Sequence, residues 1–440
     1  MTRRLVRMVA LILALVLAWH LGDPAFARMR GVLVFVLMVA GLFMAGLFMA
    51  WSRRPDRTWL VVGEGIGWLA AAALAGWTLY TPWAARHALF HAAEHEPARM
   101  AALGEHLVIG YDDMNEVREL ARRGLIGGLF VTRRNIEGKT AGQLRMALAD
   151  LQEVRRRVGL PPLMIATDQE GGPVSRLSPL APRQPPLSSL AGHPDAQRLA
   201  ADYGDEQGRA LARLGINVNF SPVVDLKPGR PPDPSDRHTR IAERAIAADP
   251  DTVSRIALAY SRALAMQGVT PVLKHFPGLG DARGDTHLHG VHLATSLERL
   301  AARDWRPFRE VMEGASAMLM VGHVTLDALD PNAPASLSRP VLTGLLRESW
   351  HYEGVLISDD MSMAAVHRLG LCRASIQALK AGQDMLLIAW DWRAYYPVME
   401  CLRRASDAGT LPDLGMSRRR LAGQPWRHAS SAARRGADGS

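Results

Sequence analysis

Cysteine is scarce in this chain: its 440 residues include only Cys372 and Cys401. Two thiols cannot build a disulfide framework, and without a CxxC pair nothing points to structural zinc or thioredoxin-like exchange. Lysine is almost absent as well, with Lys139, Lys227, Lys274 and Lys380 standing among 52 basic residues. An arginine bias of this kind reports genome composition more than a ligand. No GxGxxG or GxxxxGK[ST] follows an apolar run, which removes the usual dinucleotide and P-loop sites, and HExxH is missing too. Net charge is +9, yet residues 403–440 alone hold eight arginines against three aspartates. The rest of the chain therefore lacks a broad basic face, and no nucleic-acid partner is expected. With 48% apolar and 22% charged residues, wholesale disorder is excluded.

What is abundant, at the start of the chain, is uninterrupted apolar sequence. Val32 to Ala50 carries no charge, and at helical rise it spans a hydrocarbon layer of about 30 Å. Trp59 to Trp83 is a second candidate, with Trp59, Trp77, Tyr80 and Trp83 near its ends, where aromatic rings favour the interface. Glu64, near one end of it, reads as a tolerated charge able to reach headgroups or a neighbouring helix. Met8 to Gly22 follows Arg3, Arg4 and Arg7 and reads either as a third span or as a signal peptide, since Ala25-Phe26-Ala27 has the form of a cleavage site. Arginines in the loop 53–57 and at the N-terminus keep those segments cytoplasmic. The expectation is a multi-pass inner-membrane protein with residues 84 onward facing the periplasm or exterior. The expected divisions are membrane helices over 1–83, a juxtamembrane linker over 84–104, a barrel over 105–402 and a basic, flexible tail over 403–440. His87, His91 and His95 share a helical face in the linker, which suits a solvated connector better than a metal site.

From residue 105 the pattern changes to short apolar runs alternating with amphipathic stretches such as Ala141–Val158 and Thr252–Gln267. The runs are Leu107–Gly110, Gly128–Thr132, Leu163–Thr167, Val218–Val224, Val269–Leu273, Ala317–Gly322, Val355–Ser358 and Asp384–Ala389. Continuous apolar strands are those buried on both faces of a parallel sheet. Eight such units predict an α/β fold, a (β/α)8 TIM-type barrel preceded by an α-helical transmembrane region; a doubly wound open sheet is the competitor. Chemistry in such barrels sits where strands end. Those positions hold Asp168, Asp225, Lys274, His275, His323, Asp359 and Asp360. Asp225 is the first candidate for a structural role. Asp285-Thr286-His287-Leu288-His289 also admits an HxH metal reading, which its place away from the first strand disfavours.

At these residues the sequence resembles glycoside hydrolase family 3, in its single-domain β-N-acetylglucosaminidase branch. Asp168-Gln-Glu-Gly-Gly-Pro-Val-Ser-Arg176 is similar to DQEGGRVxR, and Lys274-His-Phe-Pro-Gly-Leu-Gly280 with Asp285-Thr-His287 to KHFPGHG…DSH. Ser358-Asp359-Asp360-Met-Ser-Met is similar to SDDLSM, and Ala242-Glu-Arg244-Ala-Ile to GERSF. The resemblance implies Asp359 as nucleophile and Asp285–His287 as the dyad whose imidazole is general acid/base. It implies Asp168, Arg176, Arg244, Lys274 and His275 as residues holding the terminal sugar. Pro173, Leu279 and Thr286 depart from the pattern, at positions of arginine, histidine and serine, and bear on specificity.

The chemistry suits those residues. Retaining hydrolysis needs a carboxylate nucleophile and a proton donor about 5 Å apart. Too little chain follows the barrel to form a second domain that could supply the acid, so a barrel loop must. An imidazole raised by Asp285 can protonate the leaving oxygen and, once neutral, activate water. A neutral imidazole repels phosphate less than a carboxylate would, which leaves phosphorolysis open. The expected function is retaining removal of terminal β-linked N-acetylglucosamine from peptidoglycan fragments or another envelope glycan, with no cofactor and no metal. Expected partners are a GlcNAc-containing carbohydrate and the lipid bilayer. The alternatives are a β-glucosidase-type enzyme of the same family and a membrane-tethered glycan-binding barrel without activity.

Overall fold

The computed structural model describes residues 2–51, 58–231, 233–234 and 236–428. The arginine-rich loop 53–57 and residues 429–440 lie outside the described residues. The chain divides into two compact units, Met1–Phe90 and His91–Ser440.

In the first unit, helices α1 (Thr2–His20), α2 (Arg30–Trp51) and α3 (Thr58–His95) meet through small and apolar side chains. Ala14, Ala18, Val34, Leu37, Trp68, Ala71 and Ala75 form their shared core. Outward, Val9, Ile12, Val16, Phe35, Val39, Phe43 and Ile66 are exposed. Glu64 faces Arg7 of α1 at 3.8 Å, so the near-end charge meets a neighbouring helix. Among the described residues, one helix, over Arg30–Ala50, is long and apolar enough to cross a membrane, and Leu5–His20 is a shorter apolar helix. The expectation of two or three spans therefore narrows to one by length and composition. Gly, Ala, Thr and Glu64 dilute the hydropathy of α3, which also continues to His95 rather than stopping near residue 83.

The second unit is a closed parallel barrel. Its strands are β1 (Leu107–Ile109), β2 (Gly128–Val131), β3 (Met164–Thr167), β4 (Val218–Asn219), β5 (Thr270–Phe276), β6 (Met318–Val321), β7 (Leu356–Asp360) and β8 (Met385–Ile388). Each pairs with its sequence neighbours, and β1 closes the ring on β8 with Leu107 opposite Leu386. All eight expected runs carry a strand. β4 is only two residues long, whereas β5 and β7 run further than expected, so Lys274, His275, Asp359 and Asp360 sit inside strand ends rather than after them. Alternate residues point inward: Met164 and Ala166, Val218 and Phe220, Met318 and Met320, Met385 and Leu387 fill the interior. The outer helices begin where local chemistry allows. Ala141–Arg157 starts from a Thr140/Gln143 capping box, and Pro250–Met266 from an Asp249 cap with proline in its first turn.

Residues 403–428 correct the expectation of a flexible tail. The helix Tyr395–Asp407 runs through its start, and Gly415–Ala422 and Pro425–Arg427 are helical turns. Leu421 and Trp426, the latter 1% exposed, belong to the barrel's interior cluster. The arginine-rich composition hid two large apolar anchors that cover an apolar layer otherwise open to water. Cys372 and Cys401 are joined in a disulfide, with Cα atoms 5.7 Å apart, linking helices Leu371–Ala381 and Tyr395–Asp407.

Candidate active site

β3, β5 and the turn Ile241–Arg244 converge on a buried run of charges. Lys274 Nζ lies 2.6 Å from Asp168 Oδ1 and 2.6 Å from Glu170 Oε1. Arg244 grips the same Glu170 carboxylate with two bonds, 3.0 Å from Nε and 2.6 Å from Nη2. Its Nη1 donates to the Thr239 carbonyl at 2.7 Å. Burial opposes Glu170's charge, but Arg244 and Lys274 outweigh it and hold the carboxyl far below its usual range. Arg244 is held up in turn by Glu170, against the pull of burial.

His275 extends the chain of contacts. Asp225 accepts from its backbone N–H at 3.0 Å and lies 2.7 Å from its Nδ1, which must therefore carry the proton. That leaves Nε2 facing Arg244 at 3.4 Å. Asp225 also accepts from the Leu279 N–H at 2.7 Å, so its structural assignment fits, and the loop keeps this anchor even with leucine at that position. Arg176 is exposed, and its backbone N–H donates to the Asp168 carbonyl at 3.1 Å.

The second constellation sits on loops. Asp285 is fully buried and accepts from the N–H groups of Arg237 (3.2 Å), His238 (2.9 Å) and His287 (2.9 Å), and from the Thr239 hydroxyl (3.2 Å). Its fifth contact is His287 Nδ1 at 2.8 Å. Burial works against the charge, but the His287 ring and the backbone donors hold this carboxyl well below the usual carboxylate range. Burial would lower the His287 pKa; the bond to Asp285, then the fields of Asp359, Asp285 and Asp360, raise it instead. With Nδ1 committed to Asp285, Nε2 is the atom free to exchange a proton. The His287 side chain is 40% exposed, as a group that meets substrate must be.

Asp359 and His287 are brought together by the following loop. The N–H groups of Ala364 and Ala365 donate to the His287 and Thr286 carbonyls, both at 3.3 Å, seating the dyad loop on the turn that follows β7. Burial raises the Asp359 pKa, and the facing His275, His323 and His287 bring it below the usual value. Its neighbour Asp360 points elsewhere, accepting from Ser362, Ala389 N–H and Trp390 N–H, which ties β7 to the loop after β8. His323 bridges Ser336 at 2.7 Å and the Asp360 carbonyl at 3.1 Å, and burial lowers its pKa against the fields of Asp359 and Asp360.

Of the eight expected site residues, Asp168, Arg244, Lys274 and His275 join one network, and Asp285, His287 and Asp359 form a second, facing group. Two contributors escaped sequence reasoning. Glu170 is the hub between Lys274 and Arg244, and its only signal was its place inside the first motif. Thr239 and its neighbours hold Asp285 from a loop with no recognisable pattern.

A carboxylate inside a barrel strand end, facing an imidazole–carboxylate dyad beside a charged pocket, is the equipment of a glycoside hydrolase. Comparison with known proteins narrows the class. Residues 100–419 match the glycosyl hydrolase family 3 N terminal domain, and the chain belongs to that family. It is 34% identical over 290 residues to a beta-hexosaminidase of Pseudomonas aeruginosa, covering 66% of this chain and 82% of that protein. It is also 34% identical over 332 residues to beta-hexosaminidase LpqI of Mycobacterium tuberculosis, covering 72% and 81%. Among solved structures, a family 3 beta-N-acetylglucosaminidase from Paenibacillus sp. aligns with a TM-score of 0.69 at 29% identity, over 76% of this chain and 63% of that longer one. A family 3 glycosyl hydrolase from Mycobacterium smegmatis aligns with a TM-score of 0.65 at 32% identity, over 74% and 96%.

Proposed function

We propose that this protein is a retaining exo-β-N-acetylglucosaminidase, tethered to the membrane, that removes terminal GlcNAc from peptidoglycan fragments or another envelope glycan. The observation that carries the reading is the Asp285–His287 pair, whose Nε2 is directed away from Asp285 on a loop seated beside Asp359. In the first step the His287 imidazolium gives its Nε2 proton to the glycosidic oxygen while the Asp359 carboxylate attacks the anomeric carbon. The aglycone leaves as an alcohol and the sugar remains as an ester on Asp359. In the second step neutral His287 takes a proton from water, which attacks the same carbon and frees Asp359 with net retention. Asp168 and His275 Nε2 accept from sugar hydroxyls, while Lys274, Arg176 and Arg244 donate to them.

One observation supports a site outside the cytoplasm, and another supports the tether. The Cys372–Cys401 disulfide belongs to oxidising compartments. The helix Arg30–Ala50 is long and apolar enough to cross a membrane, which supports the tether. Relatives named beta-hexosaminidase and beta-N-acetylglucosaminidase support the sugar.

The test is turnover of chromogenic β-GlcNAc and β-glucoside by the full chain in neutral detergent, with a fluorinated sugar that traps the glycosyl-enzyme. The expected result is preference for GlcNAc and a label on the peptide bearing Asp359. Preference for glucose would shift the specificity to a β-glucosidase. No turnover of either, with no label, would leave a glycan-binding barrel.

A further inference from the structure

Another cleft has a lining that includes none of Asp285, His287 and Asp359. The loop after β4, the loop after β5 and the chain at Arg303–Asp304 enclose about 290 Å³. Five cations line it: Lys227, Arg230, Arg283, Arg299 and Arg303. Only two carboxylates, Asp281 and Asp304, stand against them.

How those charges are used decides what the cleft can hold. Arg230 donates to the backbone carbonyls of Gly280, at 3.2 Å, and Ala282, which orients the guanidinium without cancelling its charge. Arg299 pairs with Asp281 at 3.2 Å. The side chains of Lys227, Arg283 and Arg303 make no hydrogen bond or ion pair with any described residue. Burial first, and then the field of Asp281, push the Asp304 carboxyl up to about 6 against the opposing field of Arg303, which still leaves it mostly ionised at neutral pH, so two carboxylates face five cations. The cleft therefore holds a positive excess that the protein does not neutralise.

Three cations without a hydrogen bond or ion pair in one cleft match the charge of a phosphate monoester, about −1.5 to −2 at neutral pH. A single carboxylate would leave most of the excess standing. Guanidinium forks also fit phosphate oxygens in pairs. The volume equals roughly ten waters at about 30 Å³ each, which is room for a sugar ring together with its phosphate. We propose that this cleft is a phosphate-monoester site, separate from the catalytic pocket, that takes a phosphorylated sugar. None of its cations takes part in the chemistry assigned to Asp359 and His287, so the site stands or falls apart from the proposed activity.

The test is calorimetric titration of the full chain in neutral detergent with glucose 6-phosphate, inorganic phosphate and vesicles of phosphatidylglycerol. Glucose 6-phosphate should bind, and Arg283→Ala/Arg303→Ala should weaken it at least tenfold, as should Lys227→Ala. Chromogenic GlcNAc turnover should stay within twofold of wild type in both variants, which shows that they are folded. Equal affinity for inorganic phosphate would keep the site and assign it to the bare anion. The idea is overturned if wild type and the double variant titrate alike. Displacement of glucose 6-phosphate by neutral GlcNAc, or binding to the vesicles alone, would overturn it too.

Discussion

The two halves of the proposed active site are built differently. The sugar-side network of Asp168, Glu170, Arg244 and Lys274 is carried mainly by strand ends, and each of its buried charges meets an opposite one within 3 Å. The proton-transfer half, Asp285 and His287, rides on a loop held by four donors from backbone and threonine and by two hydrogen bonds to the turn after β7. A binding pocket gains from rigid, compensated charge, because desolvated ions without partners are costly. A group that is acid in one step and base in the next needs access to substrate and water, and a half-exposed loop supplies it. Asp359 joins the halves, rigid like the first and electrostatically coupled to the second.

The sharpest way to separate the halves is to remove the shared residue. Asp359→Ala should lower turnover of every β-GlcNAc substrate by about 10⁴-fold or more, measured as kcat, since no covalent intermediate can form. His287→Ala should be selective. A sugar leaving group needs the proton and should lose about 10²- to 10⁴-fold, while an activated aryl leaving group should lose far less. Equal losses on both would mean that His287 positions substrate rather than protonating it, and the contrast between the halves would vanish.

The same contrast decides what was legible in the sequence. Strand-borne chemistry was readable because barrel strands are short apolar runs and the residue at each end stands out against them: Asp168, Lys274, His275 and Asp359 were found in this way. The dyad was readable because Asp285 and His287 are two residues apart. What depends on contacts between distant segments was not. Glu170 meets Arg244 across 74 positions, and Thr239 reaches Asp285 across 46. The Cys372–Cys401 bridge requires two neighbouring helices to present their cysteines to each other. Trp426 looked like one residue in a basic tail until the barrel supplied an interior for it to cover.

Glu170→Gln tests the compensated half. It keeps the shape but leaves Lys274 and Arg244 buried with one carboxylate fewer, at a cost of about 3 kcal/mol. The expected readouts are a lower denaturant midpoint and a raised KM, with kcat falling less than in His287→Ala. Because the Glu170 pKa is depressed in the fold, its stabilisation is present above the usual 4.5 and lost as pH falls through the depressed value. Acid unfolding of wild type should therefore be steeper than that of the variant. An unchanged midpoint would show that the network contributes no net stability.

The smallest effect tests the loop half, through pH. In the proposed mechanism activity needs Asp359 ionised and His287 protonated, so the alkaline limb of kcat/KM should follow the imidazole. Its raised pKa places that limb above 6.5 in the wild type. Asp285→Asn keeps an acceptor for Nδ1 but removes the charge. Burial then pulls the imidazole down against the weaker fields of Asp359 and Asp360, and the limb should move toward acid by about one pH unit, equivalent to ~1.4 kcal/mol. Stability carries the same signature. The raised His287 pKa stabilises the fold below 6.5 and loses that contribution as pH rises through it; the depressed Asp285 pKa stabilises above 3.8 and loses it as pH falls. The dyad's combined contribution is thus greatest between those values, and thermal melts of Asp285→Asn should differ most from wild type in that window. If the limb stays in place while the melts shift, Asp285 holds the loop without tuning the acid.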